Sequence, residues 1–138
     1  MDEKLRLLKQ TPLLASLNQH DLEEVGRLAD EVDAKAGKVL MRKGELGSEF
    51  FMIADGTVKV ERDGRVIATL GPGDFFGDIA LVVERPRTAT ATVETDSRLL
   101  VVGHREFHSL MDRFPSIRIS VLESIAIRLA ELEADRPH

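Results

Sequence analysis

The chain's chemistry is concentrated between Gly73 and Thr92, in GDFFGDIALVVERPRTATAT. Gly77 has no Cβ and tolerates unusual backbone angles, so the chain there can approach a ligand closely. Asp78-Ile79-Ala80-Leu81 reads as the first turn of a short helix, whose unpaired N–H groups and positive dipole end suit an anion. Arg87 adds a planar fork of donors that can grip a phosphate through two parallel hydrogen bonds. The Asp78 carboxylate can accept from a sugar hydroxyl. Phosphate, sugar and a neighbouring apolar wall together suggest a nucleotide.

Each of these residues also has a plainer role. Arg87 could be a surface arginine paired with Glu84 or Glu94. Against this, a strand residue after Pro86, beside small Thr88 and Ala89, is placed to point inward, and an inward guanidinium requires an anion. Asp78 would stabilise any helix from its first turn. Thr88 is equally a β-branched strand residue and a hydroxyl that donates and accepts.

Two enzyme-like patterns fail on spacing. Gly71-Pro72-Gly73-Asp74-Phe75-Phe76-Gly77 puts its third glycine one position too late for a dinucleotide fingerprint, with no βαβ unit around it. His104 and His108 stand i, i+4 as zinc-binding histidines do, but Glu106 is two positions from His104 rather than adjacent, and no third ligand is evident. No P-loop, nucleophile elbow or paired catalytic carboxylates stand out, so the expectation is a non-enzyme.

The residues Pro72-Gly73-Asp74-Phe75-Phe76-Gly77, Asp78-Ile79-Ala80-Leu81 and Pro86-Arg87-Thr88-Ala89 resemble the phosphate-binding cassette of the cyclic nucleotide-binding domains, and the likeness extends over nearly the whole chain. The resemblance implies a cassette over 73–90, with Arg87 on the cyclic phosphate and the Gly77 and Ala80 amides beside it. Position 78 would meet the ribose 2′-hydroxyl. Ile79, Thr88 and Ala89 complete the expected ligand-binding set. A threonine at position 88 admits cyclic AMP or cyclic GMP, with cyclic AMP favoured. The family usually carries glutamate where this chain has Asp78, one methylene shorter. Ile67, Leu70, Val82 and Val83 are ordinary core residues or a base pocket; Arg128, Leu129 and Leu132 are candidates to cover the base.

These residues need a scaffold. In the first segment, 1–31, Pro12 separates one short helix from another that Asn18 caps; Leu22, Val25, Leu28 and Ala29 form its apolar face. From 32 to 103, short apolar runs alternate with turn residues. Hairpin signals sit at Asp55-Gly56 and Asp63-Gly64, and Val58 and Val60 alternate with Lys59 and Glu61 as on a half-wet strand. Such spacing predicts an antiparallel β-barrel or jelly roll with flanking helices. From 104 to 134 the period is helical again, interrupted at Pro115. The last helix carries apolar residues over an arc of roughly 200°. Ile117, Val121, Leu122, Ile125, Leu129 and Leu132 fall in one half of it, and Ile119, Ala126 and Ala130 extend it. One partner would be the barrel and the other a second subunit's helix. Asp135–His138 are expected to fray.

Composition agrees with one domain over 1–138. The absence of cysteine among 138 residues excludes a disulfide framework and thiol chemistry. With no long apolar run and no signal-like start, a soluble cytoplasmic protein is expected. A formal charge of −5 argues against direct nucleic-acid binding. No Trp or Tyr supplies a base-stacking platform. A cupin-type metal site wants histidines in the strand region, and none lies between 32 and 103. The expectation is a regulatory sensor that holds cyclic AMP or cyclic GMP as ligand, with no cofactor or metal, and signals through its last helix. The alternative is a ligand-free interaction or dimerisation module of the same fold.

Overall fold

The computed structural model describes residues 3–134. Asp135–His138, expected to fray, lie outside the described residues. Helix α1 (Glu3–Lys9) gives way at Pro12 to a 3-10 turn (Pro12–Leu14), and α2 (Gln19–Leu28) follows. Asn18 caps α2 by accepting from the Asp21 N–H at 2.9 Å, satisfying one of the helix's unpaired donors.

The strands are β1 (Asp30–Ala34), β2 (Val39–Met41), β3 (Leu46–Gly47), β4 (Glu49–Arg62), β5 (Arg65–Leu70), β6 (Phe75–Phe76), β7 (Arg85–Pro86) and β8 (Thr90–Gly103). All pairings are antiparallel. Six strands form a sheet built on β4 and β8, with β1 and β2 on β8 and β5 and β6 on β4; β3 and β7 form a separate ribbon. The arrangement is a jelly roll rather than the closed barrel that short, evenly spaced strands suggested. The physical reason is that two 14-residue strands bend enough for each to serve several short partners, so no hydrogen-bonded ring is needed.

Asp55-Gly56 was expected to be a hairpin turn, yet it lies inside β4. The register shifts on either side of it, and Gly56 sits at φ +94°, so the pair is a bulge that bends the strand. A side chain at Gly56 would collide with Ser97. The true turn is Asp63-Gly64, both at positive φ, which returns the chain so that Arg62 pairs Arg65.

Strand alternation divides the interior in two. Phe50, Met52, Leu100 and Val102 face the helices and pack with Leu22, Val25, Phe107, Leu110, Ile117 and Val121. Phe51, Ile53, Leu99 and Val101 point the other way, into the sheet interior with Val58, Val60, Phe76, Ala91 and Val93. A period of two thus supplies both cores from the same two strands.

Helices α3 (His104–Arg113) and α4 (Pro115–Ala134) close the fold. Proline at the first position of α4 costs no hydrogen bond. The first half of α4 buries Ile117, Val121 and Ser124 and is tied to the N-terminal segment: Ser116 Oγ donates to Asp21 at 2.7 Å, and Ser124 Oγ to Ser16 at 3.0 Å. From Ala126 on, every described position of α4 is exposed. The broad apolar arc therefore splits: Ile117, Val121 and Ile125 meet the domain, while Ile119, Leu122, Ile127, Leu129 and Leu132 face outward. Among the described residues no helix is long and apolar enough to cross a membrane.

Candidate functional site

The 3-10 turn Asp78–Leu81 and the β7–β8 junction face each other across a cleft of about 330 Å³. Gly77 leads into the turn in the left-handed region, φ +76°, where other residues are strained. The residue also gives space. A Cβ at Gly77 would lie 2.5 Å from Arg87 Nη1 and 3.0 Å from the Glu49 carbonyl oxygen. Opposite it, a Cβ on Gly47 would lie 2.5 Å from Arg87 Nε. Two bare backbones thus form a slot for one guanidinium.

Backbone hydrogen bonds set the base of that side chain. The Arg87 N–H donates to the Glu45 carbonyl, and the Arg87 carbonyl accepts from the Gly44 N–H, each at 2.8 Å. In the slot, Arg87 Nη2 donates to the Glu49 carbonyl at 2.6 Å. The pairing with Glu84 or Glu94 does not form: among the described residues Arg87 has no carboxylate partner. Burial pulls its guanidinium below the usual arginine range, and the charge of Glu49 opposes that shift. Arg87 is a half-buried cation without a direct ion pair among the described residues, and it has donors to spare.

Asp78 is differently placed. It is buried, and its Oδ2 accepts from Arg128 Nη1 of α4 at 3.0 Å. The expected sugar contact is thus already engaged by the last helix. The Ala80 N–H donates to the Gly77 carbonyl at 3.0 Å, closing the turn.

Of the residues expected from the sequence, the structure brings Gly77, Asp78, Ile79, Ala80, Arg87 and Thr88 to the cleft. Ala89 does not line it; it is buried in the sheet interior. The proposed base pocket is dispersed. Leu70 packs on the sheet interior, Ile67 is exposed on β5, Val82 packs toward the helical core, and Leu132 is exposed on α4. Arg128 reaches the site through Asp78. Of the base-pocket candidates only Val83 lines the cleft, where it forms the apolar wall with Met41 and Ile79.

Sequence reasoning missed Gly47 and Met41. The signal for Gly47 was present in Gly44-Glu45-Leu46-Gly47, two glycines closing a turn ahead of a strand. Nothing local marks Met41, which reaches the cleft through the pairing of β2 with β8. The i, i+4 histidines face the cassette: His104 and His108 hydrogen-bond the carbonyls of Ala80 and Val82. Among the described residues no three His, Cys, Asp or Glu side chains converge as metal ligands do.

A jelly roll flanked by helices, carrying an arginine in a glycine slot beside a short turn, defines a class of ligand-binding domain. The chain belongs to the cyclic nucleotide-binding domain family, matching it over residues 31–114. It is 33% identical over 106 residues to the cAMP-dependent protein kinase regulatory subunit of Schizosaccharomyces pombe, covering 76% of this chain and 26% of that one. The N-terminal domain of a transcriptional regulator from Streptomyces coelicolor A3(2) superposes with a TM-score of 0.87 at 29% identity, covering 96% of this chain and 98% of that one. The regulatory domain of Toxoplasma gondii PKA, solved with cAMP, gives 0.71 at 33% identity, covering 80% of this chain and 46% of that one. The chain spans only about a quarter of the length of the first of these relatives.

Proposed function

We propose that this domain is a regulatory sensor that binds a cyclic nucleotide in the Arg87 cleft, cyclic AMP ahead of cyclic GMP, and reports occupancy through α4. One observation carries the reading: Arg87 is a half-buried cation with no ion-paired carboxylate among the described residues, held between Gly47 and Gly77 at the wall of a cleft. A desolvated guanidinium with open donors calls for an anion that accepts several hydrogen bonds, as the oxygens of a cyclic phosphate do. The cleft volume is at the lower end of those that hold small ligands. Thr88, at the cleft, offers its hydroxyl to either purine. The preference for cyclic AMP rests on the relatives named for it, the yeast kinase regulatory subunit and the Toxoplasma domain solved with cAMP.

Signalling follows from Asp78. A ribose hydroxyl competes with Arg128 for this carboxylate, so ligand and the present position of α4 are coupled. A ligand moves only an equilibrium whose states it binds unequally, and this ion pair supplies the inequality. The outward face of α4 supports a second copy as its partner. Ile119, Leu122, Ala126 and Leu129 are all exposed and follow the alternating three-and-four spacing of a coiled-coil seam. Outputs beyond the domain belong to whatever partner reads α4.

Isothermal titration with cyclic AMP, cyclic GMP and, as control, linear 5′-AMP tests the reading. Saturable heat with cyclic AMP, weaker with cyclic GMP and weakest with 5′-AMP is expected. No heat and no thermal shift at millimolar cyclic nucleotide would leave the ligand-free interaction module as the better account.

A further inference from the structure

The cassette turn has a problem at its far end. The last carbonyls of any helical turn lack internal partners, and here Ala80 and Val82 are the residues concerned. The Gly77 carbonyl is taken by the Ala80 N–H, and that of Ile79 by the Val82 and Val83 N–H groups. The carbonyls of Ala80 and Val82 receive side chains from α3 instead: His104 Nδ1 at 2.6 Å and His108 Nε2 at 2.9 Å. A carbonyl oxygen only accepts, so each of these ring nitrogens carries a proton. The two imidazoles lie one helical turn apart, with ring centroids 4.2 Å from each other, and grip adjacent points of the cassette.

We propose that His104 and His108 are positioning residues for the nucleotide site. They clamp the cassette turn to α3, which holds Asp78 and the Gly77–Ala80 backbone at the cleft on the turn's other end. This rests on the reading of the Arg87 cleft as a cyclic-nucleotide site. The anchor itself is rigid: Phe107, Leu110 and Met111 bury α3 in the helical core, and the His104 N–H donates to the Ser48 carbonyl at 2.8 Å. The geometry demands opposite roles from the two rings, a proton on Nδ1 in His104 and on Nε2 in His108.

That asymmetry makes the test. Asparagine places an amide N–H where a histidine has Nδ1, and glutamine where it has Nε2. Cyclic AMP affinity should stay within about threefold of wild type in His104→Asn and His108→Gln, and fall about tenfold in His104→Gln and His108→Asn. Side-chain size alone favours no such reversal of the better amide between the two sites, so equal affinities, or the same amide preferred at both, would overturn the proposal. Long-range 15N–1H spectra of the nucleotide-free wild-type protein should show a proton on Nδ1 of His104 and on Nε2 of His108. A bare Nδ1 on His104 or a bare Nε2 on His108 overturns it without any variant having to fold. If wild-type protein binds no cyclic nucleotide, the sensor reading fails while the clamp is still decided. Amide exchange across 78–83 must then be faster in His104→Gln than in His104→Asn, and equal rates refute it.

Discussion

The two ends of the cassette are built on opposite principles. At the Arg87 end a cation sits in a slot of bare backbone with no carboxylate in ion-pair contact among the described residues, only the more distant charge of Glu49. At the Asp78 end an anion is already satisfied by Arg128 of the last helix. The first end is left open to an anion; the second is held by the protein's own chain. The difference teaches where affinity and response reside. On the proposed reading, burial of Arg87 supplies binding, because the ligand completes a pairing that folding left open. On the same reading, the pairing of Asp78 supplies response, because a ligand that reaches this carboxylate displaces Arg128.

The largest effect should come from closing the slot. Gly77→Val adds a branched side chain at φ +76° within 2.5 Å of Arg87 Nη1. Cyclic AMP binding should be lost by calorimetry even at millimolar ligand, and stability should drop by about 1–3 kcal/mol in urea unfolding. Near-normal binding would mean that the slot is not the phosphate site. Next is Arg87→Ala, which should weaken cyclic AMP by about 2–3 kcal/mol, on the order of a hundredfold, as a charge-assisted contact is removed. Folding should be unharmed or slightly improved, since a desolvated charge disappears with it.

The Asp78 end should respond in the other direction. Arg128→Met removes the competitor. Because the arginine is roughly half-exposed, the pair is worth about 1 kcal/mol at most, so cyclic AMP should bind up to about fivefold more tightly. Weaker binding would show that Arg128 helps the ligand, and the contrast between the two ends would collapse. The smallest change is expected from Asp78→Glu, with equal or modestly tighter binding within about threefold, since the longer acid regains the reach usual in the family. A marked loss would mean that the backbone around Arg128 is fitted to the shorter acid.

Much of this was legible along the chain. Asn18 signals the cap of α2, Pro12 and Pro115 interrupt helices where expected, and Asp63-Gly64 marks the hairpin because both residues must take positive φ. Asp55-Gly56 carries the same local signal yet lies within β4. A bulge and a turn both need a left-handed glycine, and only the continuous partner strand β8 distinguishes them. The candidate base pocket dispersed for a related reason. Apolar residues at strand spacing reveal a strand, not which side of the sheet each faces or whether that side is covered, and Ile67 is exposed. Leu70 fell into the sheet interior, while Met41, with no local signature, came to the cleft wall.

The sequence by itself determined the residue types and short-range geometry of the proposed phosphate cradle: a glycine that can turn left-handed, an acid one step on, an arginine after a proline. Those properties belong to single residues and their neighbours, so spacing exposes them. Tertiary structure alone decided what stands opposite each of them. Gly47 completes the slot from 40 positions before Arg87, Arg128 reaches Asp78 from 50 positions later, and two histidines seize the turn's far carbonyls from α3. Burial and charge pairing depend on distances through space, and only the folded chain sets those.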